Sequence, residues 1–348
     1  MRVLVTGCAG FIGAHVVTFA LRSGSSVLGI DNLSTDYDVR LKEWRLGRLV
    51  GQPGFRFCRA DLTDQAALGR TLEGEFRIGE PVGAVIHLAG QVGLRRSLES
   101  PSAYYESNVV GTLNLLELCR LRGVPHIVLA STAAVYSVST RPGAAGAPVL
   151  DSTRGAVQPS SDSPYATSKR AAEQLVRLYH ETYGIDVVIA RLFTVYGPAG
   201  HPEMSVFRFV RAIGEGEPVE ILGDGTQRRD FTYVEDVVAG LVASTRLAGL
   251  HIIDLGTGTL TSVIEVVERL ARIMGRTPTI HSSAAHPVDS ADCGADVGHA
   301  CDVVGWKATT SLDVGLRKCV VWFEQNRDWV ATLALGAPYL TERTRADR

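Results

Sequence analysis

The sequence predicts an α/β fold, a doubly wound parallel sheet with a smaller carboxy-terminal α/β substrate lobe. Three observations predict it. Short β-branched runs alternate with helical stretches, the pattern that βαβ units leave in a sequence. The first of these runs leads straight into a glycine-rich turn and then a helix. Beyond Gly197 the segments shorten while Gly, Pro and charged residues become frequent, so a second unit begins there.

Taken in order, residues 2–6 form the first strand, because Val3, Leu4 and Val5 make a brief apolar, β-branched run. Residues 11–23 follow as a helix, and residues 26–31 and 55–60 as the second and third strands. Residues 84–88 and 126–131 are two more buried strands, separated by a long helix over 103–122. A further long helix covers 164–183, and a strand follows at 187–192. In the second unit helices are expected at 205–214 and 234–246, with a strand at 219–222 between them. A strand at 251–255 is placed to return to the main sheet, and helices follow at 261–274 and 312–325. The expected division is a first domain over 1–197, with 251–256 rejoining its sheet, and a lobe over 198–329. Residues 330–348 form a tail with no clear pattern, open to disorder. Residues 137–162, rich in Pro, Gly and Ser, read as a loop.

The 35 Lys plus Arg against 37 Asp plus Glu leave no basic excess, which argues against a nucleic-acid partner. An anionic ligand must then be gripped by a few placed cations and backbone amides. No apolar run approaches the roughly 20 residues a membrane helix needs, so no membrane partner is expected. The six cysteines are dispersed without a C-x-x-C pair, and the chain opens on a strand rather than a charged leader. A reducing cytoplasm is the expected compartment. The nine histidines show no metal spacing, and no metal is expected.

Thr6-Gly7-Cys8-Ala9-Gly10-Phe11-Ile12-Gly13 joins the first strand to the first helix. Gly7 permits the tight turn, Gly10 lets backbone approach a diphosphate, and Gly13 lets helix pack on strand. The amides and the positive end of the helix dipole then face the anion. Asp31 ends the second strand, where a carboxylate bonds the adenosine ribose diol and repels a 2′-phosphate. The expected cofactor is therefore NAD, on a Rossmann-type sheet. Asp61 and Leu62, past the third strand, frame the adenine, with Asp61 equally readable as a helix cap.

Tyr165 and Lys169 stand four apart on one helical face. A phenol titrates near 10. A nearby ammonium, together with a cationic nicotinamide ring, favours the phenolate and draws it toward neutral pH. Tyr165 can then accept a hydroxyl proton while hydride leaves the same carbon. Lys169 also holds the nicotinamide ribose. The strand ahead of this helix ends in Ala130-Ser131-Thr132, so Thr132 can bond the reacting oxygen, with Ser131 beside it or turned into the turn.

Together these motifs resemble the extended short-chain dehydrogenase/reductase family, over nearly the whole chain to about residue 325. Within it the chain is most similar to nucleotide-sugar epimerases of the UDP-glucuronate 4-epimerase type. The stretches that carry the resemblance are HLAGQVGLRRS at 87–97, the segment 163–170, RLFTVYGPAGHPEM at 191–204 and GDGTQRRDFTYVED at 223–236. The resemblance implies a catalytic set of Thr132, Tyr165 and Lys169, and a retained NAD. It adds Asn32, Leu88, Ala89, Gly90 and Asn108 to the cofactor site. Related dehydratases carry an Asp-Glu pair after the catalytic hydroxyl, and related decarboxylases a Glu at the second of those places. Ala133 and Ala134 stand there in this chain. Thr194 replaces the Asn of UDP-galactose 4-epimerases, and the resemblance puts it on the sugar carboxylate with small groups near Thr132, Ser131, Ala133 and Ala134 among them.

For the diphosphate and uridine of a UDP-sugar the resemblance points to Arg95, Arg229, Phe207 and Asp289, where a guanidinium offers paired bonds to phosphate. Arg96 reads as a solvated surface charge. The family usually has Arg where His201 stands, a bulky aromatic at Ala199 and Ala at Gly90. His201 is shorter and only partly charged at neutral pH. The implied reaction is 4-epimerisation of UDP-glucuronate to UDP-galacturonate. The alternatives are a neutral UDP-hexose 4-epimerase, a UDP-glucuronate decarboxylase, or an NAD-sensing module without chemistry. A homodimer is implied through the helices at 103–122 and 164–183. Leu113, Leu116 and Leu175 serve either as its contacts or as the protomer's own core.

Overall fold

The computed structural model describes residues 1–77, 80–136, 163–284 and 292–334. The chain begins with β1 (Arg2–Thr6), α1 (Phe11–Arg22), β2 (Ser26–Asp31), α2 (Arg40–Gly47), β3 (Phe55–Arg59), α3 (Gln65–Arg77) and β4 (Val82–His87). Short helices α4 (Arg96–Glu99) and α5 (Pro101–Tyr105) precede α6 (Gly111–Arg122), β5 (His126–Thr132), α7 (Pro164–Tyr183) and β6 (Asp186–Leu192). Next come β7 (Thr194–Tyr196), α8 (Ser205–Glu215), β8 (Val219–Leu222), β9 (Arg228–Tyr233), α9 (Val234–Ser244) and β10 (Leu250–Leu255). The last elements are β11 (Leu260–Ser262), α10 (Val263–Met274), β12 (Ile280–Ser283), β13 (Asp292–Cys293), α11 (Gly298–Val304) and α12 (Leu312–Ala331).

Seven of these strands form one sheet in the order β10-β6-β5-β4-β1-β2-β3, and all its pairs are parallel. Parallel strands are covered on both faces, so their sequences are apolar at every position rather than at alternate ones. In β1 all five residues are buried. Val3 and Val5 join the core under α1, α8, α9, α10 and α12, while Leu4 joins the core under α3, α6 and α7. The same alternation sends Val128 to the first core and Ile127 and Leu129 to the second. Each fully buried side chain of this size contributes about 1.5–3 kcal/mol. The strand order reverses between β1 and β4, and the carboxyl ends of the strands there border the crevice in which open α/β sheets bind ligands. A smaller sheet, β11-β9-β13 with β7 also on β9, and the pair β12-β8 complete the fold.

The structure departs from the sequence reading in particular places. The long helix over 103–122 is broken by a π-helical turn at Glu106–Val110, between α5 and α6. Helix α2 escapes prediction because RLKEWRLG reads as polar surface, yet its Lys42 and Arg45 are buried. Thr261 belongs to β11, and α10 starts after Ser262, whose hydroxyl accepts from the Glu265 amide at 3.3 Å. Helix α12 runs past residue 325 to Ala331. Leu116 is 1% exposed and Leu175 packs on the same core, so both serve the protomer interior. The loop expected at 137–162 and the tail beyond 334 lie outside the described residues. Among the described residues no helix is long and apolar enough to cross a membrane, and no side-chain cluster could hold a metal.

Candidate active site

The glycine loop is fixed by contacts no other residue tolerates. Gly7 has φ +69°, and a Cβ there would lie 2.8 Å from the Ala89 amide nitrogen. A Cβ on Gly13 would lie 2.0 Å from the Gly7 carbonyl oxygen, so α1 can approach β1 only without one. Helix α1 opens with no side-chain cap and no acidic residue in its first turn. Its amino-terminal amides and dipole are thus presented to an anion, as a dinucleotide's diphosphate requires. Phe11 is buried and Ile12 packs beside it. Asp31, buried at the end of β2, accepts from the amides of Ala9 (3.1 Å) and Leu33 (2.8 Å). Lys42 stands 3.9 Å from the same carboxylate.

Asn32 donates to Asp61 at 2.9 Å, which joins the ends of β2 and β3. Burial raises the Asp61 carboxyl, but hydrogen bonds from Asn32 and Thr63 outweigh it and hold the pKa low. The helix-cap alternative for Asp61 fails, since Asp64 caps α3 by accepting from the Ala67 amide at 2.8 Å. Leu62 packs in the core, where its Cβ would sit 3.3 Å from a Cβ on Gly111. The buried carboxylate at the end of β2 and the open helix terminus fit NAD.

Beyond β4, the Thr6 hydroxyl accepts from the amides of Leu88 and Ala89, both at 3.2 Å. It also meets His87 Nδ1 at 2.7 Å, while His87 Nε2 meets Thr112 Oγ1 at 3.0 Å. Thr112 spends its proton on the Asn108 carbonyl (2.6 Å), so His87 carries its proton on Nε2 and Thr6 donates to Nδ1. Burial, with Lys169 nearby, pushes His87 down to about 3. It is a neutral strut. The π turn presents Asn108, whose Oδ1 accepts from the Gln91 amide at 2.8 Å. Its Nδ2 donates to the Gln91 carbonyl (3.1 Å) and Ser168 Oγ (2.9 Å). A Cβ on Gly90 would come within 2.5 Å of Asn108 Oδ1 and 3.4 Å of Lys169 Nζ.

Helix α7 starts at Pro164, and the Ser163 hydroxyl caps it by accepting from the Ala166 amide at 3.2 Å. That cap sets the first turn, which carries Tyr165. Thr132, the last residue of β5, accepts from the Ala134 amide (3.2 Å), and its hydroxyl acts to lower the nearby Tyr165 phenol. Ala133 and Ala134 lie in the tight turn that follows. Tyr104 meets the Tyr165 ring edge-on at 6.1 Å. Lys169 is buried and donates to the Ala130 carbonyl at 3.0 Å. Burial pushes the Tyr165 phenol up, with only the Thr132 hydroxyl acting against it. The lowering expected from Lys169 is therefore absent: a buried phenolate loses its hydration, and the ammonium is turned to a carbonyl. Lys169 itself is pushed down to about 8 by burial, with Glu173 opposing.

Ser131 does not face the site. Its hydroxyl donates to Glu173 at 2.5 Å, and Arg191 grips the same carboxylate at 3.0 and 2.7 Å. Glu173, one helical turn past Lys169, was legible only as an i+4 neighbour and was missed. Thr194, His201 and Phe207 come together with Phe11, Gly197 and Gly200 around one cleft. His201 packs edge-on to Tyr37 at 4.5 Å and accepts from the Glu203 amide at 3.3 Å. Burial, reinforced by Arg45, Lys42 and Arg96, pushes it down to about 3, so it is neutral rather than partly charged. Arg96 is no free surface charge: it bonds the Asp36 carbonyl and lies 3.2 Å from Glu203.

Arg95 stands at the start of α4, and Arg229 lies on β9 with a bond to the Arg228 carbonyl (2.8 Å), outside the lining of that cleft. Asp289 lies outside the described residues. Arg45, also missed, donates to the carbonyls of Ala199 (3.0 and 2.8 Å) and Gly200 (2.8 Å) and to the Tyr37 hydroxyl (2.8 Å). No periodic signal marks a buried arginine on so polar a helix.

The sequence matches the NAD dependent epimerase/dehydratase family over residues 3–255. It is 41% identical to the UDP-glucuronate 4-epimerase of Thermodesulfobacterium geofontis (strain OPF15), over 95% of this chain and 98% of that one. The fold is similar to the crystal structure of UDP-glucuronic acid 4-epimerase from Bacillus cereus in complex with UDP-glucuronic acid and NAD. That likeness has TM-score 0.84 and 30% identity, and covers 93% of this chain and 99% of that one. It is also similar to UDP-glucose 4-epimerase from Thermotoga maritima with UDP-glucose, at TM-score 0.79 and 28% identity, over 94% and 100% of the chains.

Proposed function

The chain belongs to the NAD dependent epimerase/dehydratase family, and from that membership we propose that it converts UDP-glucuronate to UDP-galacturonate by 4-epimerisation. The observation that carries the chemistry is the meeting of Thr132, Tyr165 and Lys169 at the carboxyl end of β5. The glycine loop, Asp31 and the Leu88–Gly90 segment would hold NAD, which when bound would supply the hydride acceptor and donor for the sugar C4. Tyr165 takes the C4 hydroxyl proton and gives it back, and Thr132 shares that hydrogen bond through both halves. Lys169, charged below about pH 8, would join the cationic nicotinamide ring in favouring the Tyr165 phenolate once the cofactor is bound, a lowering that the chain by itself does not show.

Ala133 and Ala134 carry neither acid nor base, which favours a reaction needing only hydride transfer and one proton acceptor over elimination. A 4-keto glucuronate is a β-keto acid and loses carbon dioxide readily. In this reading Thr194 holds the carboxylate near the ring plane, so that the scissile bond stays out of line with the carbonyl π system. Arg95, Arg229, Phe207 and Asp289 anchor the UDP while the sugar turns, so binding energy is placed away from the reacting ring.

The likeness to the Thermotoga enzyme favours one second reading, epimerisation of a neutral UDP-hexose. Incubation with UDP-glucuronate and with UDP-glucose, followed by chromatographic separation, tests both. UDP-galacturonate is the expected product. A UDP-pentose would mark a decarboxylase, UDP-galactose alone the neutral epimerase, and bound NAD without turnover a sensing module.

The same proposal includes a cytoplasmic homodimer. Dispersed free cysteines support the compartment. Exposed Tyr105, Val110, Leu113 and Leu121, with Leu178 and Tyr183 on α7, support pairing through these helices. Sedimentation as a monomer at micromolar concentration would remove the dimer.

A further inference from the structure

Two successive residues of β5 are tied to two successive turns of α7. The Ala130 carbonyl accepts from Lys169, and the Ser131 hydroxyl donates to Glu173. Thr132 comes next in the chain. Glu173 is 2% exposed, and both its oxygens are engaged by Ser131 and Arg191. Arg191 from β6 is the cation that pairs with this buried carboxylate.

We propose that Glu173 is a positioning residue for the reaction, setting both the placement of Thr132 against Tyr165 and the charge on Lys169. The inference rests on the reading of Tyr165 and Lys169 given above. Placement follows from the stitch itself: with Ser131 held to α7, the hydroxyl of Thr132 cannot slide along the helix that carries Tyr165. Charge follows from spacing, since residues four apart on a helix are neighbours and an anion there favours the ammonium. Glu173 is the group that opposes the burial of Lys169. The other ionisable groups near Lys169 do not share that task. His87 from β4 is held neutral, Tyr165 on the same helix is a neutral phenol, and Arg191 from β6 is neutralised by Glu173. Arg170, next along α7, is bonded to the Val135 carbonyl at 3.0 Å.

Glu173→Gln keeps the shape and removes the charge. The expected result is a kcat reduced several-fold at unchanged KM, with the alkaline limb of the kcat profile moved down by about one pH unit. A readout without turnover accompanies it. Lys169 titrates lower in the folded chain than its ordinary 10.5, so stability rises with pH across that window. In the variant that rise in melting temperature begins at lower pH. If limb and melting curve both stay where they are in the wild type, Glu173 is only structural and the proposal fails. Ser131→Ala keeps the charge and cuts the stitch, and it decides the matter if the glutamine variant does not fold. It should lower kcat several-fold with the limb unmoved, and a wild-type kcat overturns the placement role. Lys169→Met that still turns over would instead overturn the reading of Lys169 on which this inference stands.

Discussion

Gly90→Ala is a change of one methyl group with a consequence that can be worked out from the site. The new carbon would lie 2.5 Å from Asn108 Oδ1, where an ordinary contact is 3.4 Å or more. Asn108 must retreat by about 0.9 Å, because the overlap cannot be absorbed by a side chain this short and this firmly held. Its bonds of 2.8 Å, 3.1 Å and 2.9 Å would then stretch beyond useful length. At about 1 kcal/mol each the loss approaches 3 kcal/mol, and partial relaxation brings it to about 2 kcal/mol. For a chain of 348 residues the entropy of unfolding is about 0.7 kcal/mol/K, so melting should fall by about 3 °C. NAD affinity should fall as well, since the displaced Asn108 and the Gly90 segment it bonds both belong to the proposed cofactor site. Scanning calorimetry and NAD titration by protein fluorescence measure the two effects. Asn108→Ala should lessen the cost of the added Gly90→Ala change, because the clash partner is gone and only the backbone strain at φ +159° remains. A Gly90→Ala protein with unchanged melting and unchanged NAD affinity would show that Asn108 is not held as described.

Tyr165→Phe should retain NAD and lose about 10²- to 10⁴-fold in turnover, read by cofactor content and product formation. Turnover near the wild-type rate would remove Tyr165 from the chemistry. Thr194→Ala should raise the ratio of decarboxylated product to epimer, and an unchanged ratio by chromatography would free Thr194 of the carboxylate. Burial holds the Asp254 carboxyl up at about 7, against the hydrogen bonds from Tyr136 (2.6 Å) and the Asp296 amide (3.1 Å). The folded chain keeps a proton there that an unfolded Asp loses near 3.9, so this contribution is full at low pH and is lost between about pH 4 and pH 7. Asp254→Asn should flatten that part of the melting curve and leave the protein more stable than wild type at pH 8. A variant with the wild-type slope would contradict this assignment.

Much of the frame was legible in the residues. The β-branched runs of β1, β2, β5 and β6 announce a doubly covered sheet, because only strands buried on both faces are apolar at every position. The glycines of the loop were equally readable, and at Gly7 and Gly13 steric exclusion of a Cβ leaves glycine as the single solution. The i, i+4 spacing of Tyr165 and Lys169 placed them on one face. Helix α2 was not readable, because burying Lys42 and Arg45 depends on carbonyls and rings that arrive from residues 37 and 199–200. The π turn was invisible for a similar reason: an extra residue in a helical turn leaves no mark on a periodic pattern.

Local chemistry and spacing were thus enough for the architecture, the cofactor loop and the choice of NAD. Contact between distant segments was needed for everything that depends on electrostatic environment. Ser131 turning inward, a neutral His201, a phenol raised rather than lowered and a lysine near 8 all follow from burial. Burial is a property of packing in three dimensions, and the cost of removing a charge from water is set by neighbours that lie far away along the chain.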